Sequence, residues 1–219
     1  MPLKKPRRPP RRNRHRSGKG RPVNDLKRWD PEAVLAFWFP RDSVTGRLTP
    51  LKHWFAKDPD FDAMLRASFG YLLDDVFRQG AAPVCVCARE RLAGIVLLDQ
   101  FTRNVFRDTP KAFAGDALAR TLAVELLADG GDMSLEPLER VFAYLPFEHS
   151  ESMADQDRAV ALFDDLSRHG NEFTGYLEYA HRHRDVIRQF GRFPHRNRIL
   201  GRVSTPAEIE YLARPGSGF

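Results

Sequence analysis

Residues 92–107 read LAGIVLLDQFTRNVFR. At about 100° per residue, Leu92, Ile95, Val96 and Phe106 share one arc of a helix, and Asp99 and Arg103 fall in the middle of it. Leu97, Leu98, Phe101 and Val105 cover much of the remaining circumference. A helix that is apolar almost all round is a buried one. An acid and a base therefore stand where leucine is expected. They are spaced i, i+4 with the acid first, the favourable order for a pair.

Helix start and stop signals divide the rest of the chain. Asp30-Pro31-Glu32 and Asp58-Pro59 each supply a capping acid followed by proline at the first helical position. Pro40 and Gly80 close the two helices that follow. Residues 81–87 are ambiguous, and the central helix is predicted over 89–107. Asp116 is expected to cap a helix over 117–128 that ends at Gly130-Gly131. Ser134 opens one over 135–145, which Pro146 stops. Further helices are predicted over 153–168 and 172–190. Thr205-Pro206-Ala207-Glu208 forms a capping box for a last short one. No segment reads as a strand, so the class is all-α, with short connections favouring antiparallel helix pairs. No sequence repeat near 34 residues is present.

Polar residues interrupt other apolar faces too. Gln156 shares a face with Met153, Val160 and Phe163. Arg184 shares one with Phe173, Tyr176, Leu177, Ala180 and Ile187, with His183 at its margin. Unpaired buried charge costs several kcal/mol, so these groups need partners. The suspect segments hold Asp99, Glu148, Glu151 and Asp185 against Arg103, Arg107, Arg184, Arg188, Arg192 and Arg196, with His149, His183 and His195 besides. The surplus of positive charge predicts either a bound anion or an acidic partner. Arg184 is expected to meet Glu148 or Glu151. Residues 146–151 are expected to lie at a helix N-terminus, which favours anions. Residues 191–197 (GRFPHRN) concentrate donors in a loop, as sites do.

Several chemistries are disfavoured. His181, His183 and Asp185 at i, i+2, i+4 do not share a helical face as metal ligands would, so no metal is expected. His149-Ser150 places a base beside a hydroxyl, but Ser150 suits a cap better than a nucleophile. No phosphate-binding glycine loop is present and no cofactor is implied. Cys85 and Cys87 are too close to staple a fold and are expected to pack as small hydrophobes in a reduced, cytoplasmic protein.

The chain has 219 residues and a net charge of +6, but residues 1–22 alone carry ten Lys or Arg and no acid. Without them 25 basic residues face 29 acidic ones, a net of −4. This Arg/Pro-rich tail is expected to be disordered, either an unstructured extension or an upstream stretch wrongly included in the open reading frame. It offers weak, sequence-blind nucleic-acid contact through phosphates. Residues 23–219 are expected to form one helical domain. No apolar run reaches the ~18 residues of a membrane span. The charged N-terminus is followed by no signal-peptide core.

Three motif groups in order carry a resemblance. They are Phe37-Trp38-Phe39 with Trp54-Phe55 and Leu98-Asp99-Gln100-Phe101; Glu148-His149-Ser150-Glu151 with Asp155-Gln156; and His183-Arg184-Asp185 with residues 191–197. From about residue 30 onward the chain resembles the bacterial family known as domain of unknown function 924. The resemblance implies an all-helical, tetratricopeptide-like superhelix and brings no activity or catalytic residue. Thr102 stands where the family usually has proline.

The combined expectation is an Arg/His-lined pocket for an anionic small molecule or acidic peptide end. It is built from Asp99, Gln100, Arg103, Asn104, Arg107, His149, Glu151, Gln156, His183, Arg184, Arg192, His195, Arg196 and Asn197. One alternative is a hydrolase-type enzyme in the same pocket, with His149 or His195 as base and Glu151 orienting it. Another is a protein-binding scaffold whose polar motifs are internal struts.

Overall fold

A computed structural model describes residues 29–218. The basic tail, 1–22, lies outside the described residues. Asp30 accepts a hydrogen bond from the Ala33 N–H (3.1 Å) and starts α1 (Pro31–Trp38). Asp58 accepts from Asp60 and Phe61 N–H (both 3.1 Å) and starts α2 (Pro59–Gln79), which Gly80 ends in the left-handed conformation. Residues 81–87 are neither helix nor strand. Glu90 then accepts from the Val86 N–H (2.6 Å), fixing the entry to α3 (Ala88–Ile95). The chain runs on without a break through a π-helical segment, Val96–Phe101, into α4 (Thr102–Val105). The remaining long helices are α5 (Asp116–Ala128), α6 (Pro137–Glu148), α7 (Met153–Ser167) and α8 (Thr174–Phe190), followed by the short α9 (Pro206–Leu212). Among the described residues the extended pairing is limited to one bridge, Arg41 with Leu48.

The α3–π–α4 rod is the axis of the packing. α1, α5 and α6 lie against α3, and α2 lies against α4. α6, α7 and α8 then stack consecutively. The core is aromatic. Trp38 meets Phe101 (5.5 Å between centroids) and Phe142 (5.7 Å), and Trp54 meets Phe142 (4.8 Å) while donating to the Trp38 carbonyl (3.1 Å). A smaller cluster of Val186, Ile187 and Phe193 packs with Met153, Phe190 and Tyr211.

The π segment departs from the uniform 3.6-residue period expected for 89–107. Wider i→i+5 turns bring residues 96–101 to the interior on every side, so that all six are buried. Thr102 Oγ1 donates to the Leu98 carbonyl (2.7 Å). The approach to α5 is equally close: a Cβ at Gly115 would lie 2.1 Å from the Leu98 oxygen.

Three boundaries differ from expectation. Gly115, not Asp116, is the N-cap of α5, and Asp116 is its first residue. Glu136 and Glu139 make the capping box of α6, so Ser134 lies upstream in a 3-10 turn. Pro146 does not stop α6, which continues to Glu148. Residues 146–148 are therefore the C-terminal turn of one helix rather than the lead-in to the next. This end carries a partial negative charge, and the anion-favouring dipole expected there is absent. Of the two cysteines only Cys85 packs as anticipated: it is half-buried and its thiol is pushed up to about 12 by burial, whereas Cys87 is exposed.

Candidate functional site

Asp99, in the π segment, has no solvent exposure. Its carboxylate accepts from His149 Nδ1–H (2.8 Å), Arg103 Nη1 (3.0 Å) and Gln100 Nε2 (2.5 Å). Burial pushes the carboxyl pKa up, but the Arg103 charge and the His149 and Gln100 bonds outweigh it. The group is held ionised, well below the usual range. His149 caps the end of α6, and its ring reaches back over the rod. Its side chain keeps 16% exposure, and no described residue bonds to its Nε2. With Nδ1–H committed to a carboxylate, Nε2 carries the lone pair. Burial and Arg103 lower the His149 pKa against the pull of Asp99, so the ring is neutral.

Arg103 also donates to Asp116 (3.0 and 3.3 Å), and Arg196 donates to Asp116 (3.2 Å) and to the His149 carbonyl (3.0 Å). The Arg196 guanidinium is stacked between Phe113 and Phe193, each 4.7 Å away. Its Nε is buried with no partner among the described residues. Burial and the nearby Arg103 charge bring its pKa down to about 10.

Two more histidines complete the cluster. His183 is buried, its ring 6.3 Å from that of His149, and its Nδ1 donates to the Tyr179 carbonyl (2.9 Å). Burial, then His149, holds it well below the usual imidazole range. His195 lies 5.6 Å from Phe193, and burial with Arg196 lowers it to about 4. Glu148 Oε1 lies 3.2 Å from His183 Nδ1. Burial, with Asp99 beside it, pushes the Glu148 carboxyl up to about 8. Glu148 and His183 thus face each other as neutral groups at pH 7.

The structure therefore gathers Asp99, Gln100, Arg103, His149, His183, His195 and Arg196, and adds Asp116 and Glu148. It places the other candidates elsewhere. Asn104 and Arg107 turn to Asp62 of α2 (2.7 to 2.9 Å). Arg192 pairs with Glu208 (2.6 and 2.8 Å), whose carboxyl falls to about 2 through that bond. Arg184 meets Asp157 (2.6 Å) rather than Glu148 or Glu151, and Arg188 meets Asp185. Asn197 bridges Ser204 (3.0 Å) and Arg202 (2.9 Å). Glu151 is held by Arg202 (2.8 and 3.0 Å) and the Phe193 N–H (2.8 Å), so it orients neither histidine; Asp99 fills that role for His149. Gln156 donates to the carbonyls of Glu148 (2.6 Å) and Ser150 (2.7 Å), closing the end of α6. Ser150 donates to Asp155 (2.7 Å) and accepts from the Ser152 N–H (3.2 Å), which fits a turn hydroxyl and not a nucleophile.

The expected cationic surplus disappears once these acids are counted. Asp62, Asp116, Asp157 and Glu208 each take a guanidinium that sequence spacing left unmatched. Within the cluster, Asp99 and Asp116 balance Arg103 and Arg196. Asp62 and Asp116 were missed because each sits in the first turn of its helix, where an acid is ordinary. Among the described residues no group of three His, Cys, Asp or Glu is placed to hold a metal.

The described residues thus form an all-helical protein with an interior Asp–His–Arg network on one buried turn. The chain belongs to the bacterial family of proteins of unknown function DUF924, whose sequence pattern matches residues 34–216. It is similar to the solved structure of a protein of unknown function from Agrobacterium tumefaciens. The two are 39% identical with a TM-score of 0.70, over 84% of this chain and 96% of that one. No curated protein matches the chain.

Proposed function

We propose that the chain is a hydrolase-type enzyme for a small anionic substrate, with His149 as general base and Asp99 as its orienting carboxylate. The observation that carries this reading is the 2.8 Å bond from His149 Nδ1 to a fully buried Asp99, with Nε2 left without a partner. That arrangement fixes the tautomer and turns a lone pair outward. His149 Nε2 takes a proton from an attacking water as its oxygen bonds to the substrate centre, and returns that proton to the leaving oxygen as the old bond breaks. Arg103 and Asp116 keep 19% and 24% side-chain exposure, so the edge of the network reaches solvent. Arg103 is the nearest partly exposed cation, and an anionic group there meets it in competition with Asp116. The test is turnover of p-nitrophenyl acetate and p-nitrophenyl phosphate by the wild type, His149→Ala and Asp99→Asn. A His149-dependent rate should fall by about 100-fold or more in His149→Ala. Equal rates in wild type and His149→Ala would refute the reading.

A second reading is a tetratricopeptide-like scaffold in which the same network is a strut. The consecutive stacking of α6, α7 and α8 and the internal charge balance favour it. It predicts no turnover, but a large loss of stability in Asp99→Ala. In either reading we take residues 23–219 as one cytoplasmic domain.

A further inference from the structure

A second polar network lies on another side of the rod, at an open cleft that the Asp99 cluster does not touch. The cleft has a volume of about 450 Å³ and is lined by Asp62, Arg66, Asn104 and Arg107 around Ala63, Ala67 and Val105, with Pro59 at its edge. This size is usual for a small-molecule site.

The hydrogen-bonding capacity left over in the cleft is specific. Asp62 is largely committed: it accepts from Asn104 Nδ2 (2.7 Å) and, side-on, from Arg107 Nε (2.8 Å) and Nη2 (2.9 Å). The carboxylate can only accept, so Asn104 must present its amide nitrogen to it, and its Oδ1 is the atom left over. Asn104 is 8% exposed, and no described residue donates to that oxygen. Arg107 uses Nε and Nη2 on Asp62, so Nη1 is its spare edge. Arg66 has no carboxylate partner among the described residues and rests on the Phe106 ring (5.5 Å). Two guanidinium groups thus share the cleft with one acid, most of whose acceptor positions are taken by Arg107 and Asn104. Beside them is one unused acceptor on a mostly buried side chain, with small apolar side chains around it.

We propose that this cleft binds a short hydroxylated carboxylate. Arg66 and the Nη1 edge of Arg107 hold the carboxylate, the hydroxyl donates to Asn104 Oδ1, and the carbon chain lies on Ala63, Ala67 and Val105. Inorganic phosphate satisfies the cations but supplies no apolar body. Propionate supplies the body but no donor.

The test is calorimetric titration of the full chain with L-lactate, glycerate, propionate and phosphate. Each is repeated on Arg66→Ala, an exposed helix position where alanine is well tolerated. Lactate or glycerate should saturate the wild type in the millimolar range or tighter and lose about tenfold in Arg66→Ala, with an unchanged melting temperature. Propionate should bind several-fold more weakly than lactate. The proposal is overturned if neither hydroxyacid binds below about 50 mM. It is equally overturned if Arg66→Ala binds lactate like the wild type, or if propionate or phosphate matches lactate. His149→Ala should leave this binding intact, so failure here and failure of the hydrolase reading are separable.

Discussion

The two sides of the α3–π–α4 rod solve the same problem differently. Each pairs an arginine with a carboxylate supplied by, or shared with, a neighbouring helix. At Asp99 the network is tighter: three donors reach one acid, Asp116 joins two guanidinium groups, burial keeps Glu148 and the three histidines neutral, and what is left over is His149 Nε2 and Arg196 Nε. At Asp62 the network is open. Asn104 Oδ1, Arg107 Nη1 and Arg66 remain available beside a cleft. The contrast shows that an arginine-rich motif says little about net charge until the opposing helix is known.

The sharpest test of this contrast is to remove each acid. Asp99→Ala leaves the His149 N–H without its acceptor and takes from Arg103 one of its two acids, and should cost about 3 kcal/mol in urea unfolding. If its cost were no larger than that of Asp62→Ala, the tighter and open descriptions would be wrong. Gly115→Ala attacks the tighter side through its backbone. Its Cβ would run into the Leu98 carbonyl, so a loss of about 1–3 kcal/mol is expected by the same measurement.

The pH dependence of stability should also come from the tighter side. Glu148, raised to about 8 in the fold, binds its proton more tightly there than in the unfolded chain, so stability falls as pH rises from about 4.5 to 8. His149, His183 and His195 are lowered, so their contribution is complete above about 6.5 and is lost as pH falls through their folded values, about 4 for His195. Three histidines outweigh one glutamate on the acid side, and between pH 6.5 and 8 Glu148 acts alone. Melting temperature should therefore peak near pH 6.5, and Glu148→Gln should flatten the decline between pH 6.5 and 8. A wild-type curve that still climbs through that interval would contradict the neutral Glu148. The smallest effect belongs to the open side: Asp62→Ala, whose partners keep access to water, should cost about 1 kcal/mol.

The sequence spoke clearly where one local rule applied. Asp30, Asp58, Gly80 and Thr205 act as predicted because capping depends on residues within one turn. Asp99 and Arg103 were legible as buried because their neighbours are apolar in every direction. The identity of partners was not legible. Nothing in the spacing ties His149 to Asp99 rather than to Glu151, or Arg107 to Asp62, because those pairs are set by how separate helices dock. The π segment was equally hidden, since Val96, Leu97, Leu98 and Phe101 suit an α-helix as well. Pro146 misled for a related reason: tertiary contacts and the Gln156 amide carry α6 past a residue that usually ends a helix.

The widened turn at Val96–Phe101 has a consequence for tolerated length changes. It holds one residue more than a regular helix would use over the same rise. Deleting one residue there would let the turn relax to ordinary pitch while the helix on either side kept its phase. A residue added to the regular turns on either side would instead swing everything downstream by about 100° about the axis, and Arg103 would leave Asp116 as Asn104 and Arg107 left Asp62. The widened turn is thus the place in the rod where losing a residue disturbs the two faces least.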